Sequence, residues 1–170
     1  MSGEAKALLL DLSQAQHVAI APHELVELAH AEELFDVPLA PTHCNQLFAW
    51  QDRLIPVVDL SRMLGIEEPA SEGNLSLVAV VAYQPTPGKG LDYGCLKLAT
   101  HPRLVSVRDA DAAPMPQSST SWKSLAISCF GCGEGRTAPV LNLAQLFAQP
   151  VVAPTWFRPN RVSLRRYAEG

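Results

Sequence analysis

The pattern in this chain with the most chemical potential is Cys129-Phe130-Gly131-Cys132. Two thiols at this spacing form either a dithiol redox pair or half of a zinc site. Zinc needs further ligands, and His43-Cys44 is the one other pair of suitable type. A redox pair of this kind opens a helix after a strand, where the helix dipole lowers a thiol pKa. Here glycines and a second apolar run follow, which points to two cysteines at the end of a strand. The histidines at 17, 23, 30, 43 and 101 form neither a His-x-x-x-His nor a Glu-x-x-His pattern. Gly131-Cys132-Gly133-Glu134-Gly135 is glycine-rich but lacks the lysine and the following helix of a phosphate loop, so it reads as a hairpin turn. No Gly-x-Ser-x-Gly elbow occurs, and Asp109 and Asp111 form only a short acidic pair of the solvated kind. The expectation is a protein with no cofactor and no catalytic residue. The competing reading is a zinc or redox protein built on Cys129, Cys132, His43 and Cys44.

Recognition chemistry is better represented. Trp and Arg are the side chains that most often anchor protein interfaces. Trp50-Gln51-Asp52-Arg53 sets both types around a polar turn, and Arg62 follows nine residues on. Trp50 can serve as a partner-facing anchor or as a core aromatic beneath the turn, and Trp122, Trp156 and Phe157 pose the same choice.

Short strands position these residues. Ala7 to Leu12 and His17 to Ala21 read as a hairpin around Ser13-Gln14-Ala15-Gln16. His23 to His30 fits a strand or a helical turn, and Pro38 and Pro41 bracket an extended connection. Leu54 to Val58 is a β-branched strand in which Pro56 implies an edge or a bulge. Asp59 caps a short helix with Leu60, Met63 and Leu64 on its apolar face and Gly65 at its C-terminus. Leu75 to Tyr83 is nearly continuously apolar, as a strand buried on both faces would be. Leu91 to Ala99, Leu104 to Val107, Leu125 to Phe130 and Thr137 to Leu141 follow as strands, and Asn142 caps a closing helix. Roughly nine short strands between turn signals predict an all-β barrel or sandwich. One internal echo stands out: apolar-Pro-Val-apolar, then Asp or Asn, then Leu, at Ile55 to Leu60 and again at Ala138 to Leu143. A duplicated small barrel would produce it.

Bulk properties set the remaining bounds. In 170 residues, 48% are hydrophobic and 18% charged, enough for a core and thinly charged outside. A net charge of -4 argues against nucleic acid, which demands excess Lys and Arg. No run approaches the roughly 18 apolar residues that span a bilayer, and Ala7-Leu8-Leu9-Leu10 is too short for a signal core. The expected location is the cytoplasm, without membrane insertion and with four free thiols.

Leu47 to Leu60 resembles the signature of CheW-like domains, in which an Asn-Leu-Arg-Gly loop precedes a strand ending in Ile-Pro-Val-x-Asp-Leu. Val18-Ala19-Ile20 with Glu24 to Leu28, Val37-Pro38, and Ala138 to Phe147 resemble the flanking family segments in order, so the likeness spans roughly 7 to 148. The chain departs where the family's Arg-Gly falls on Gln51-Asp52 and a usual Gly on Gln46. The resemblance implies two small five-stranded SH3-like barrels around a shared core, with short helices near 59–64 and 142–148. It places a CheW-like domain at 5–150 and a basic C-terminal tail at 151–170. It also implies a non-catalytic adaptor that couples a CheA-type histidine kinase to a methyl-accepting chemoreceptor or related input, in chemotaxis or twitching motility; the alternative, consistent with Gln51-Asp52, is a CheW-like fold diverged to another protein-interaction role. Trp50, Gln51, Asp52, Arg53 and Arg62 are the expected partner-binding residues, as one contact region.

Overall fold

The structure is a computed structural model that describes residues 3–12, 16–66, 76–116 and 122–148. The loop at 67–74, most of the turn at 13–16, part of the 109–120 connection, Trp156, Phe157 and the basic tail lie outside the described residues.

Period-two apolar runs become strands, and the described residues hold eleven: β1 (Glu4–Asp11), β2 (His17–Ile20), β3 (Leu25–Ala31), β4 (Phe35–Asp36), β5 (Gln46–Trp50), β6 (Arg53–Val58), β7 (Ser76–Tyr83), β8 (Asp92–Leu98), β9 (Arg103–Arg108), β10 (Ala126–Gly133) and β11 (Arg136–Leu141). Three short helices join them: α1 (Leu60–Met63), α2 (Trp122–Leu125) and α3 (Leu143–Ala148). The ambiguous His23 to His30 segment resolves into a 3-10 turn at Pro22–Glu24 followed by β3. The helical turn α2 was not expected from the sequence.

The strands form two curled sheets, one of order β10-β11-β2-β1-β9 and one of order β3-β7-β8-β6-β5-β4. This is the architecture of two SH3-like barrels. The second sheet has six strands rather than the expected five because Phe35–Asp36 pairs with Gln46–Leu47.

The topology explains the sequence echo. In each sheet a hairpin (β10–β11 or β5–β6) joins in parallel to the second strand of a central hairpin. That central hairpin (β2–β1 or β8–β7) then pairs with one further strand, β9 or β3. Each half of the chain therefore supplies the same parts, and the halves exchange them. The first half gives β1 and β2 to one sheet and β3, β5 and β6 to the other; the second half does the reverse. The echoed segments are the equivalent strands β6 and β11, each running into a capped helix.

Strand alternation sorts side chains among three cores. Val78 and Val80 on β7, with Ile55, Val57 and Cys95, fill the second barrel. Leu9, Ala19, Phe130 and Ala138 fill the first. The opposite faces meet between the barrels, where Leu10, Ile20, Val58, Ala79, Val81, Leu96 and Leu141 pack with Leu60, Leu143 and Leu146 from the helices. Hence the continuous apolar run of β7, in which Val78 through Val81 are all fully buried, is buried on both sides. A cross-barrel hydrogen bond from the buried Ser61 Oγ to the Leu12 carbonyl (3.1 Å) adds to this seam.

Pro56 sits in the interior strand β6, not on an outer edge. Counting back from the Trp50–Arg53 pair that closes the hairpin, Pro56 opposite Leu47 is a position whose N–H would point away from β5. On that side the ladder to β8 begins only at Val57, so no bond is lost.

Candidate interaction site

The β5–β6 hairpin turns through two residues, Gln51 and Asp52, with φ of 44° and 60°. Positive φ at both central residues is the type I′ geometry, whose twist matches that of the flanking strands. Glycine or asparagine usually occupies such positions, because a Cβ crowds the backbone there. The β10–β11 hairpin makes the same turn with Glu134 (φ 53°) and Gly135 (φ 72°). This corrects the expectation of a turn spanning Gly131 to Gly135: β10 runs on to Gly133, so Cys129 and Cys132 lie within a strand. Arg136 closes the second turn as Arg53 closes the first, and its guanidinium meets Glu134 at 3.1 Å on the open surface.

Beneath the first turn the side chains are fixed. Trp50 is buried, 8% exposed, in the core of the second barrel. Its Nε1 donates to Glu27 Oε2 on β3 at 2.8 Å. Its ring lies 5.0 Å from that of Tyr93 on β8, and the Arg53 guanidinium stands 5.2 Å from the same Tyr93 ring. As cross-strand partners, Trp50 and Arg53 share a face, and Tyr93 receives both. Trp50 is thus the support of the turn, while Gln51, Asp52 and Arg53 are exposed on it. Trp122, the parallel case, is buried in the inter-barrel core.

Arg62 lies elsewhere. It follows the far end of β6, about 17 Å along the strand from Arg53 at the usual rise per residue. Asp59 caps α1 by accepting from the Arg62 amide at 3.1 Å, and it also faces the Arg62 guanidinium at 3.5 Å. The Arg62 side chain remains 57% exposed and reaches the Thr42 carbonyl at 3.5 Å. The five expected residues therefore fall at the two ends of one strand. Glu27 and Tyr93, which hold the turn, were not foreseen. Neither is near it in sequence, and only strand pairing brings them there.

The thiols are arranged differently from a reactive centre. None of the four cysteines is in a disulfide, and Cys44, Cys95 and Cys129 are buried. Burial pushes the Cys129 and Cys132 thiols up from their ordinary value, away from the thiolate a redox pair requires. Burial, reinforced by Glu27, pushes Cys95 up to about 12. Burial also lowers the His43 pKa against the pull of Asp59. His43-Cys44 precedes β5 of the second sheet, whereas Cys129 and Cys132 belong to β10 of the first. Among the described residues no three His, Cys, Asp or Glu side chains gather as metal ligands. Nor is any helix among them long and apolar enough to cross a membrane.

Two curled sheets, each around its own apolar core and sharing a third between them, define a protein of paired SH3-like barrels. Residues 6–151 match the model of the CheW-like domain, and the chain belongs to that family. It is accordingly a non-catalytic adaptor. Among solved structures it is similar to the scaffolding protein TtCheW from Thermoanaerobacter tengcongensis. The two share 15% identity and superpose with a TM-score of 0.66 over 86% of this chain and 94% of that one. No curated protein sequence matches this chain.

Proposed function

We propose that this adaptor couples a CheA-type histidine kinase to a methyl-accepting chemoreceptor or an equivalent input protein, in the cytoplasm, in chemotaxis or twitching motility. The observation that carries the reading is the family match over 6–151, joined to the exposed β5–β6 turn that Trp50, Glu27 and Tyr93 hold in place. Gln51, Asp52 and Arg53 form one contact and Arg62 a second, at opposite ends of β6, with Trp50 acting from beneath. Two separated contacts on one rigid strand suit a protein that bridges. Gln51-Asp52 presents an amide and a carboxylate where the family carries Arg-Gly, so this turn favours a partner surface that donates hydrogen bonds or carries positive charge.

Calorimetric titration of the cognate kinase and of a receptor cytoplasmic fragment tests this. Arg53→Glu and Arg62→Glu are each expected to lower affinity about tenfold or more for at least one partner, with the melting temperature lowered by no more than about a few degrees. Wild-type affinity of both variants for both partners would remove β6 from the contact surface.

A further inference from the structure

The strand β3 forms an open edge of the second sheet: its one ladder partner among the described residues is β7. Such an edge presents unpaired N–H and C=O groups, and proteins normally protect it with Lys, Pro or a covering segment. β3 has no Lys, Arg or Pro. Its outward residues Val26 and Leu28 are 43% and 37% exposed. Glu27 on β3 and Glu32 and Glu33 just past its end are exposed. Charge is segregated between the first third of the chain and its last twenty residues. From Ala7 to Asp52 there is no Lys or Arg, whereas 151–170 carries Arg158, Arg161, Arg165 and Arg166 against Glu169 alone.

The chain also leaves its last helix close to this edge. Phe147 of α3 stacks on Tyr83 at 4.8 Å, and Tyr83 ends β7 two residues past Val81, which pairs with Leu25 at the start of β3. Residues 149 to 160 can span about 40 Å, twice the roughly 20 Å length of β3. The segment Arg161-Val162-Ser163-Leu164-Arg165 alternates basic or polar with apolar residues, as a strand added to an acidic, apolar edge would.

We propose that the basic C-terminal segment docks along β3 of the same molecule and covers Val26 and Leu28. The inference stands on charge and topology and is independent of which partners meet the β5–β6 turn.

Hydrogen exchange of the full-length chain, followed on peptides covering 25–31, tests it. Arg161→Glu with Arg165→Glu is expected to speed exchange there about tenfold, because an edge strand freed of its cover opens readily. Glu32→Lys with Glu33→Lys should do the same, and combining all four substitutions should restore protection by reversing both charges. Unchanged exchange in both double variants, or failure of the fourfold variant to recover protection, would overturn the proposal. So would protection that grows with protein concentration, since that would assign the cover to a second copy.

Discussion

Asp52 shows how a single residue can be placed against its own preference. Its φ of 60° is one that an L side chain enters at a cost of about 1–2 kcal/mol, while glycine enters it freely. The equivalent position in the other hairpin is Gly135. Asp52→Gly is therefore expected to stabilise the fold by about 0.5–1 kcal/mol, part of the relief being offset by glycine's greater freedom when unfolded. Urea denaturation measures this, and a destabilised variant would mean that the Asp52 side chain makes a compensating contact. Trp50 separates two roles in the same way. Trp50→Phe keeps an aromatic ring against Tyr93 but leaves the Glu27 carboxylate without its donor, an expected loss of about 1–3 kcal/mol. Equal midpoints for Trp50→Phe and wild type would show that the hydrogen bond adds nothing to packing.

At the scale of elements, the paired strand–helix units rest on their caps. Asp59 accepts from the Arg62 amide, and Asn142 Oδ1 accepts from the Gln145 amide at 3.2 Å. Helices of four and six residues cannot stand on propensity, so cap and packing hold them. Asp59→Ala and Asn142→Ala should each cost about 1 kcal/mol, read as a lower urea midpoint with unchanged slope. Asp59→Ala has a second effect. It releases the Arg62 guanidinium from its 3.5 Å pairing and should alter partner binding, whereas Asn142→Ala should not. The capped helix after Val58 was legible because Asp59, the Leu60, Met63 and Leu64 spacing and Gly65 are all local signals. The helix α2 left no comparable signal: it comprises only four residues, and Trp122 and Leu125 are buried in a core assembled from distant strands.

The whole molecule is tied together by exchange. Neither half of the chain completes a barrel alone, because each lends its outer strands to the other's central hairpin. Asp11 fastens one such crossing. At the end of β1 it accepts from Thr100 Oγ1 at 3.0 Å on the connection from β8 to β9 and from Arg103 at 3.3 Å at the start of β9, and it meets the buried His17 at 2.7 Å. Burial alone would raise the Asp11 pKa, but the His17 and Thr100 hydrogen bonds and the Arg103 charge outweigh it and hold the carboxyl below its ordinary value. A carboxylate depressed by folding adds stability above its unfolded pKa of about 3.8, and that stability is lost as pH falls from there toward the folded value. Asp11→Asn should flatten this acid limb of the stability curve, measured by chemical denaturation between pH 5 and pH 2 in steps of about half a unit. An unchanged limb would place the acid sensitivity elsewhere.

The sequence alone determined the all-β class, the positions of most strands but not of β4 or the ends of β10, both helix caps, the buried double-faced β7 and the echo between Ile55–Leu60 and Ala138–Leu143, because periodicity, capping and turn chemistry act within a few residues. The family likeness was also present in the sequence, since it rests on a contiguous signature. Only the tertiary structure decided that Trp50 supports the turn from below and that Glu27 and Tyr93 secure it. The separation of Arg53 and Arg62 by the length of β6, and the exchange of strands between the two halves, likewise emerged only there. These depend on which strands pair across dozens of residues, and pairing is set by burial of the assembled faces, which no local window of sequence contains.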